Sequence, residues 1–232
     1  MRDCVLIPVY NESATVSSVL DAVRGHFSGE VIVVDDGSTD STGHVLTTRD
    51  DVTVVRLDRN CGYGCALRIG FDVAREMGLD RVVTMDCDGQ HEPAHIPEFL
   101  EALTPEHDII SGSRYLPRSA VIGSAPSERQ QINAEITAMV NSATGWSLTD
   151  SFCGFKAYWV SVLSRLTLHE RGYGMPIELW AKAWRLGMRV SEIAVERIYC
   201  DHGRSFGDGL DDADSRRAYY LNVWQSALED PL

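Results

Sequence analysis

Apolar and polar positions along the first half of the chain alternate between the spacing of strands and that of helices. Cys4–Val9 is an apolar run compatible with a buried strand, and Thr15–Phe27 then places Val16, Val19, Leu20, Val23 and Phe27 at helical intervals. Val31–Val34 and Val52–Leu57 read as the next two strands, Gly64–Met77 as a helix stopped by Gly78, and Arg81–Met85 as a fourth strand. Such alternation predicts an α/β fold with a largely parallel sheet covered on both faces. The second half is less regular. Ile109–Ser111 reads as a strand, Gln130–Ala143 and Glu178–Leu186 as helices, and Val190–Tyr199 as a late strand. Between them, Arg114–Glu128 carries Pro117, Ser119, Gly123, Ser124, Pro126 and Ser127, a loop composition expected of a lid over a site. The tail after Phe206 is acidic and then amphipathic, with Tyr219, Tyr220, Val223, Trp224 and Leu228 on one predicted helix face. That face is expected to pack back on the domain or on a second copy, which leaves room for a homo-oligomer. The expected organisation is one domain over residues 1–205, followed by an acidic segment and amphipathic helix over 206–232.

At 232 residues and 44% hydrophobic, the chain is long enough for one substantial core. Lys and Arg total 21 against 34 Asp and Glu, a net charge of −13 that repels nucleic acid and anionic lipid alike. No nucleic-acid partner is expected. The six cysteines form no C-x-x-C pair, and Met1-Arg2-Asp3 leads straight into a strand-like run with no signal-peptide pattern. A reducing cytoplasm is the expected location. No apolar run approaches the ~20 residues that span a bilayer, so membrane contact is expected to be peripheral, at the inner face.

The chemistry gathers where predicted strands end. Val82-Val83-Thr84-Met85 delivers Asp86 and Asp88 into a Gly-containing turn, and Val31-Ile32-Val33-Val34 delivers Asp35 and Asp36. In parallel sheets ligands bind beyond the carboxyl ends of the strands, where Pro8, Asp35, Asp36, Asp86 and Asp88 all fall. Carboxylates are hard ligands suited to Mg²⁺ or Mn²⁺, whose shell is often completed by water and substrate phosphate. Adjacent carboxylates repel each other unless a ligand or backbone amides take up their charge, and a base or ribose hydroxyl would suit Asp36. Asp40 and Ser41 read instead as a helix cap. Gly62 and Gly64 fail the dinucleotide fingerprint, because its third glycine would fall at Leu67; they read as sites of close backbone approach at a helix start. His91, His95 and His107 read as structural or exposed. Arg114 and Arg129 are either surface ion pairs or contacts to diphosphate, and Asp150 is either a turn aspartate or a carboxylate facing an acceptor.

Taken in order, Ile7-Pro8-Val9-Tyr10-Asn11-Glu12, Val33-Val34-Asp35-Asp36-Gly37-Ser38-Thr39-Asp40, Asn60-x-Gly62-Tyr63-Gly64, Met85-Asp86-Cys87-Asp88-Gly89-Gln90-His91, Gly112-Ser113-Arg114-Tyr115 and Asp150-x-x-Cys153-Gly154-Phe155 resemble the inverting family 2 glycosyltransferases. The closest branch is that of the polyprenyl-phosphate (dolichol-phosphate) mannosyl- and glucosyltransferases. The resemblance implies a GT-A fold, a Rossmann-like, mostly parallel sheet flanked by helices, together with a nucleotide-diphosphate sugar (UDP- or GDP-sugar) and a divalent metal. By position it implies that Pro8, Tyr10, Glu12 and Asp36 hold the nucleoside, with Asp86 at its diphosphate end. Asp86, Asp88 and Gln90 would hold Mg²⁺ or Mn²⁺, Arg114 the phosphates or the acceptor, and Asp150 the acceptor side; Arg129 maps only approximately. The chain departs from that branch at its R-x-x-G-x-S-K segment. Here the residues are Cys200-Asp201-His202-Gly203-Arg204-Ser205-Phe206, so both basic positions are lost and Arg204 is a displaced substitute.

The resulting expectation is a metal-dependent, inverting hexosyl transfer to an acceptor such as a polyprenyl phosphate. A phosphate acceptor is already anionic, whereas a hydroxyl acceptor would call on Asp150 as base. Two rival readings come from other classes. One is a haloacid-dehalogenase-like phosphohydrolase that uses the first aspartate of Asp86-x-Asp88 as nucleophile. The other is a noncatalytic nucleotide-sugar binding protein, inactive through the altered 200–206 segment.

Overall fold

The computed structural model describes residues 1–123, 127–199 and 209–231. Along the first half run β1 (Asp3–Val9), α1 (Val16–His26), β2 (Glu30–Asp35), α2 (Thr42–Thr47), β3 (Thr53–Arg56), α3 (Tyr63–Glu76) and β4 (Arg81–Thr84). The second half adds α4 (Ile96–Ala102), β5 (Ile109–Ser113), β6 (Val121–Ile122), α5 (Ser127–Thr144), β7 (Lys156–Trp159), α6 (Val160–Leu163), α7 (Met175–Arg185), β8 (Val190–Ala194), β9 (Arg197–Ile198) and α8 (Ala213–Glu229). Seven strands form one sheet in the order β3-β2-β1-β4-β7-β5-β8. All its pairings are parallel except those of β7, which runs antiparallel to both β4 and β5.

Period-two alternation in the central strands feeds two cores. Cys4, Leu6, Ile32 and Val34 face the layer of α3, α5, α7 and α8, while Val5, Ile7, Val31 and Val33 face that of α1 and α4. The expected mostly parallel sheet flanked by helices is present. Three expectations change in the second half. Four-residue β7 carries no periodic signal and contains a lysine, yet it is inserted inside the sheet between β4 and β5. The predicted late strand divides after Ala194: β8 extends the main sheet, and β9 pairs with β6 in a separate two-stranded ribbon. The predicted lid over 114–128 therefore contains β6, and α5 begins at its end.

The C-terminal helix packs on the domain. Asp212 caps it by accepting from Ser215 N at 2.8 Å, and Tyr220, Val223, Trp224 and Ala227 bury one face in the core shared with α7. Each large side chain so buried contributes roughly 2 kcal/mol. Among the described residues no helix is long and apolar enough to cross a membrane.

Candidate active site

The carboxyl ends of β1, β2 and β4 lie side by side, and the loops that follow them are stitched to one another. After β1, Asn11 adopts a left-handed conformation, φ 56°, and its side-chain oxygen accepts from Thr39 N at 2.8 Å. Asn11 N donates to Ser38 Oγ at 2.9 Å, Glu12 N to Thr42 Oγ1 at 2.8 Å, and Ser13 N to Asp40 Oδ2 at 3.2 Å. The Ser38–Thr42 turn thus supplies acceptors for the backbone that carries Tyr10 and Glu12. Of the two residues expected to cap α2, Asp40 does so by accepting from Thr42 N, and Ser41 makes no side-chain cap bond. Pro8 is buried within β1, Tyr10 is half exposed beyond it, and the Glu12 carboxylate accepts from Thr15 Oγ1 at 2.8 Å.

The two strand-end carboxylates of β2 take different partners. Asp35 accepts from Ser38 N at 2.9 Å and faces Arg56 at 3.5 Å. Asp36 accepts from Cys61 N at 2.7 Å and Gly62 N at 2.8 Å, one amide on each oxygen. Burial lifts the Asp36 carboxyl above its ordinary range; the two amides oppose that rise, and the Asp35 charge adds to it. Backbone amides therefore relieve this pair, and the residue expected at the nucleoside also anchors the turn into α3. That turn needs Gly62: its φ is +101°, and a Cβ there would lie 2.4 Å from Arg171 O.

Asp86 and Asp88 follow β4. The Asp86 side chain is 32% exposed. Its Oδ1 accepts from Tyr63 Oη at 3.0 Å, and its backbone N donates to Nδ1 of buried His91 at 2.9 Å. Burial and the charge of Asp86 push the Tyr63 phenol well above its ordinary range, so it stays a donor. Asp88 Oδ1 accepts from Gln90 N at 3.0 Å, closing the turn. Among the described residues no three His, Cys, Asp or Glu gather as a complete metal cage. Two partly open carboxylates with hard oxygens nevertheless fit Mg²⁺ or Mn²⁺, whose remaining positions take water and phosphate oxygens.

The turn 150–155 connects this edge to the basic side of the site. Thr84 Oγ1 donates to Gly154 O at 2.7 Å, Trp180 Nε1 to Ser151 O at 2.9 Å, and the Lys156 ammonium to Cys153 O. Burial pulls the Lys156 ammonium down, and the Trp180 ring lies 5.2 Å from it. At Gly154 a Cβ would stand 2.6 Å from Asp86 Oδ2, so only glycine lets the turn pass so close to that carboxylate. Asp150 is 0% exposed. It accepts from Arg114 Nε at 2.7 Å and Nη2 at 3.0 Å, Arg114 N at 3.2 Å, Asn133 Nδ2 at 2.8 Å and Phe152 N at 3.1 Å. Burial alone would raise its carboxyl, but the Arg114 charge and these bonds hold it at about 2. Such a group has no spare lone pair aimed outward and almost no basicity at neutral pH. Its geometry is that of a carboxylate that orients Arg114, not of the acceptor-facing base considered from sequence.

Arg129 lies in the first turn of α5, on the element that contributes Asn133. Arg204, with the rest of 200–206, lies outside the described residues. Sequence reasoning missed Tyr63, Asn133 and Glu192. Glu192 accepts from Thr149 N at 2.8 Å and Asp150 N at 3.0 Å. Asn133 and Glu192 are polar residues at positions where α5 and β8 turn inward, a signal that single-sequence periodicity carries only weakly. It also read His91 as structural without its bond to Asp86.

The sequence profile described as glycosyl transferase family 2 matches residues 4–167. The chain belongs to that family. This glycosyltransferase is 33% identical over 213 residues to the undecaprenyl-phosphate mannosyltransferase of Micrococcus luteus, covering 88% of this chain and 87% of the relative. It is 31% identical over 204 residues to the polyprenol monophosphomannose synthase of Mycolicibacterium smegmatis, covering 84% and 76%. Among solved structures, glucosyl-3-phosphoglycerate synthase from Mycobacterium tuberculosis, in complex with Mn²⁺, UDP-glucose and phosphoglyceric acid, superposes with a TM-score of 0.76 at 22% identity, covering all of this chain and 81% of that one. The glycosyltransferase thus has the GT-A fold and belongs with the polyprenyl-phosphate branch, as its motifs led one to expect. Family membership also displaces the phosphohydrolase reading.

Proposed function

We propose that this glycosyltransferase moves a hexose from a UDP- or GDP-sugar, with inversion, to a phosphate-bearing acceptor of the polyprenyl-phosphate class at the inner face of a membrane. The observation that carries the reading is the 150–155 turn, which at Gly154 lies against the strand-end carboxylate Asp86 and at Asp150 fixes a guanidinium, Arg114. The names of two relatives, an undecaprenyl-phosphate mannosyltransferase and a polyprenol monophosphomannose synthase, and the UDP-glucose and Mn²⁺ bound by the structural neighbour support it.

In this reading Pro8, Tyr10, Glu12 and Asp36 form the nucleoside side. Asp86, Asp88 and Gln90 would hold Mg²⁺ or Mn²⁺; when bound, the ion would supply Lewis-acid stabilisation of the charge on the departing nucleoside diphosphate. Tyr63 and His91 fix Asp86. Arg114 receives the acceptor phosphate, and Asp150 keeps its fork aimed. An acceptor phosphate oxygen forms the new bond to the anomeric carbon as the bond to the diphosphate breaks. That oxygen is already anionic, so no side chain has to remove a proton.

Calorimetric titration with UDP-glucose, UDP-N-acetylglucosamine and GDP-mannose, with and without Mn²⁺ or Mg²⁺, tests the reading. One nucleotide class should bind with metal and weaken more than about tenfold in Asp86→Ala and Asp88→Ala, as expected when charge-assisted contacts are lost. Tight binding indifferent to metal and to both substitutions would overturn it.

A further inference from the structure

Arg197 reaches the basic side of the site along a route that no motif announces. Val195 N donates to Ser113 O at 3.0 Å as the chain leaves β8, and β9 then pairs in parallel with β6, Val121 opposite Arg197. Arg197 N donates to Ala120 O at 2.8 Å, which fixes the backbone at this residue. The side chain turns onto the ring of Tyr115, its guanidinium carbon 5.3 Å from the centroid. The guanidinium of Arg114 stands 6.0 Å from the same ring. Two cations thus share one aromatic side chain.

They differ in how their charge is met. Arg114 is forked onto Asp150. Among the described residues no carboxylate pairs with Arg197; its Nη1 reaches Gln130 Oε1 at a long 3.4 Å, and its Nε is buried without a hydrogen-bond partner. A buried donor left without an acceptor is destabilising, the more so when it is charged. With 34 acidic side chains against 21 basic ones carboxylates are plentiful in this chain, yet among the described residues none reaches this guanidinium, which faces the same ring as Arg114 and is a site awaiting an anion.

We propose that Arg197 is the second guanidinium of an anion seat, in which the phosphate monoester of the acceptor lies between Arg114 and Arg197 at the edge of Tyr115. The inference rests on the acceptor side of the proposed function and adds to it a residue that sets acceptor specificity. Arg197 supplies a cation from within the described ribbon, whereas the 200–206 segment lacks both basic residues expected of the branch. Arg114 contributes its remaining edge, since Nε and Nη2 are spent on Asp150.

The test titrates the full chain, loaded with Mn²⁺ and whichever nucleoside diphosphate the donor titration selects, with two probes. One is farnesyl phosphate in neutral detergent micelles; the other is 3-phosphoglycerate in free solution. At least one phosphate ester should bind, and Arg197→Ala should weaken it by roughly ten- to a hundredfold and flatten its dependence on salt. The two arms distinguish a lipid headgroup from a soluble phosphate ester. Arg197→Lys, which keeps the charge without the planar fork, should recover part of the affinity, and it carries the test if Arg197→Ala does not fold. A purely structural stacking role would instead lower the unfolding midpoint and leave phosphate affinity alone. The proposal is overturned if neither ester binds the wild type, or if Arg197→Ala or Arg197→Lys binds it equally well. Donor titrations separate the two readings. Donor binding that obeys metal and Asp86, alongside phosphate binding that ignores Arg197, sinks this inference alone; donor binding indifferent to both sinks the function beneath it.

Discussion

Exchanging Asp150 for Asn removes one charge from the best-connected carboxylate of the site while keeping its volume. The carboxylate accepts from Arg114, Asn133 and the backbone of Phe152 through both oxygens. An asparagine brings one oxygen and one NH₂, so a donor would face a donor whichever way the amide is turned. Breaking a buried ion pair from one side costs about 3–5 kcal/mol. The Arg114 side chain is 21% exposed, and solvent returns part of that cost, leaving about 2–3 kcal/mol. For a chain of this size that lowers the unfolding midpoint by about 5–10 °C. The pH dependence has a definite sign. The native carboxyl is held at about 2 against 3.8 for the free group, so the pair contributes fully above pH 3.8 and its contribution fades as pH falls toward 2. Wild type should therefore lose about 2 kcal/mol across that window that Asp150→Asn does not lose, and the gap between the two proteins should narrow. Urea unfolding followed by tryptophan fluorescence at pH 7 and through the acid range measures both effects. In turnover, Asp150→Asn should raise the acceptor KM through a misaimed Arg114 and leave donor affinity intact. An unchanged urea midpoint, or an acid limb near pH 5–7 in the wild-type rate profile that vanishes in the variant, would refute the positioning role and restore Asp150 as a base.

Two further substitutions address the nucleotide side. In Gly154→Ala the new methyl would stand 2.6 Å from Asp86 Oδ2 and 2.9 Å from Tyr63 Oη, so Mn²⁺-dependent donor affinity should fall about tenfold or more through the displaced carboxylate. Calorimetry showing wild-type affinity would mean that Asp86 does not serve the donor from this position. Asp36→Asn leaves Cys61 N or Gly62 N facing an NH₂ group, which should cost about 1–3 kcal/mol and speed hydrogen exchange at both amides. Protection equal to wild type at those two amides would show that the turn does not depend on the carboxylate.

Where the strands end was legible because periodicity and sequence neighbourhood answer that question together. Once β1, β2 and β4 are recognised as parallel, Tyr10, Asp36, Asp86 and Asp88 must emerge at one edge of the sheet, since chain direction leaves them nowhere else. The glycines at 62 and 64 were legible as close approaches for a similar local reason, and both abut the carbonyls of residues 170–171. The partners of the buried charges were not legible. Asp150 meets Arg114 and Asn133 because β7 is inserted antiparallel between β4 and β5, bringing the 150–155 turn against the end of β5. Arg197 meets Tyr115 because the late strand leaves the main sheet to pair with β6.

The sequence by itself therefore determined the α/β alternation, the two-sided core of the first strands and the row of carboxylates at their tips, all of which depend on residues near one another in the chain. Only the tertiary structure decided that Asp36 and Asp150 spend their oxygens on protein donors, that Asp86 leans on Tyr63 and that two arginines flank one tyrosine. Apolar faces are chosen by local spacing, but a buried charge is stabilised by whichever distant group reaches it, and that choice is made when the strands assemble.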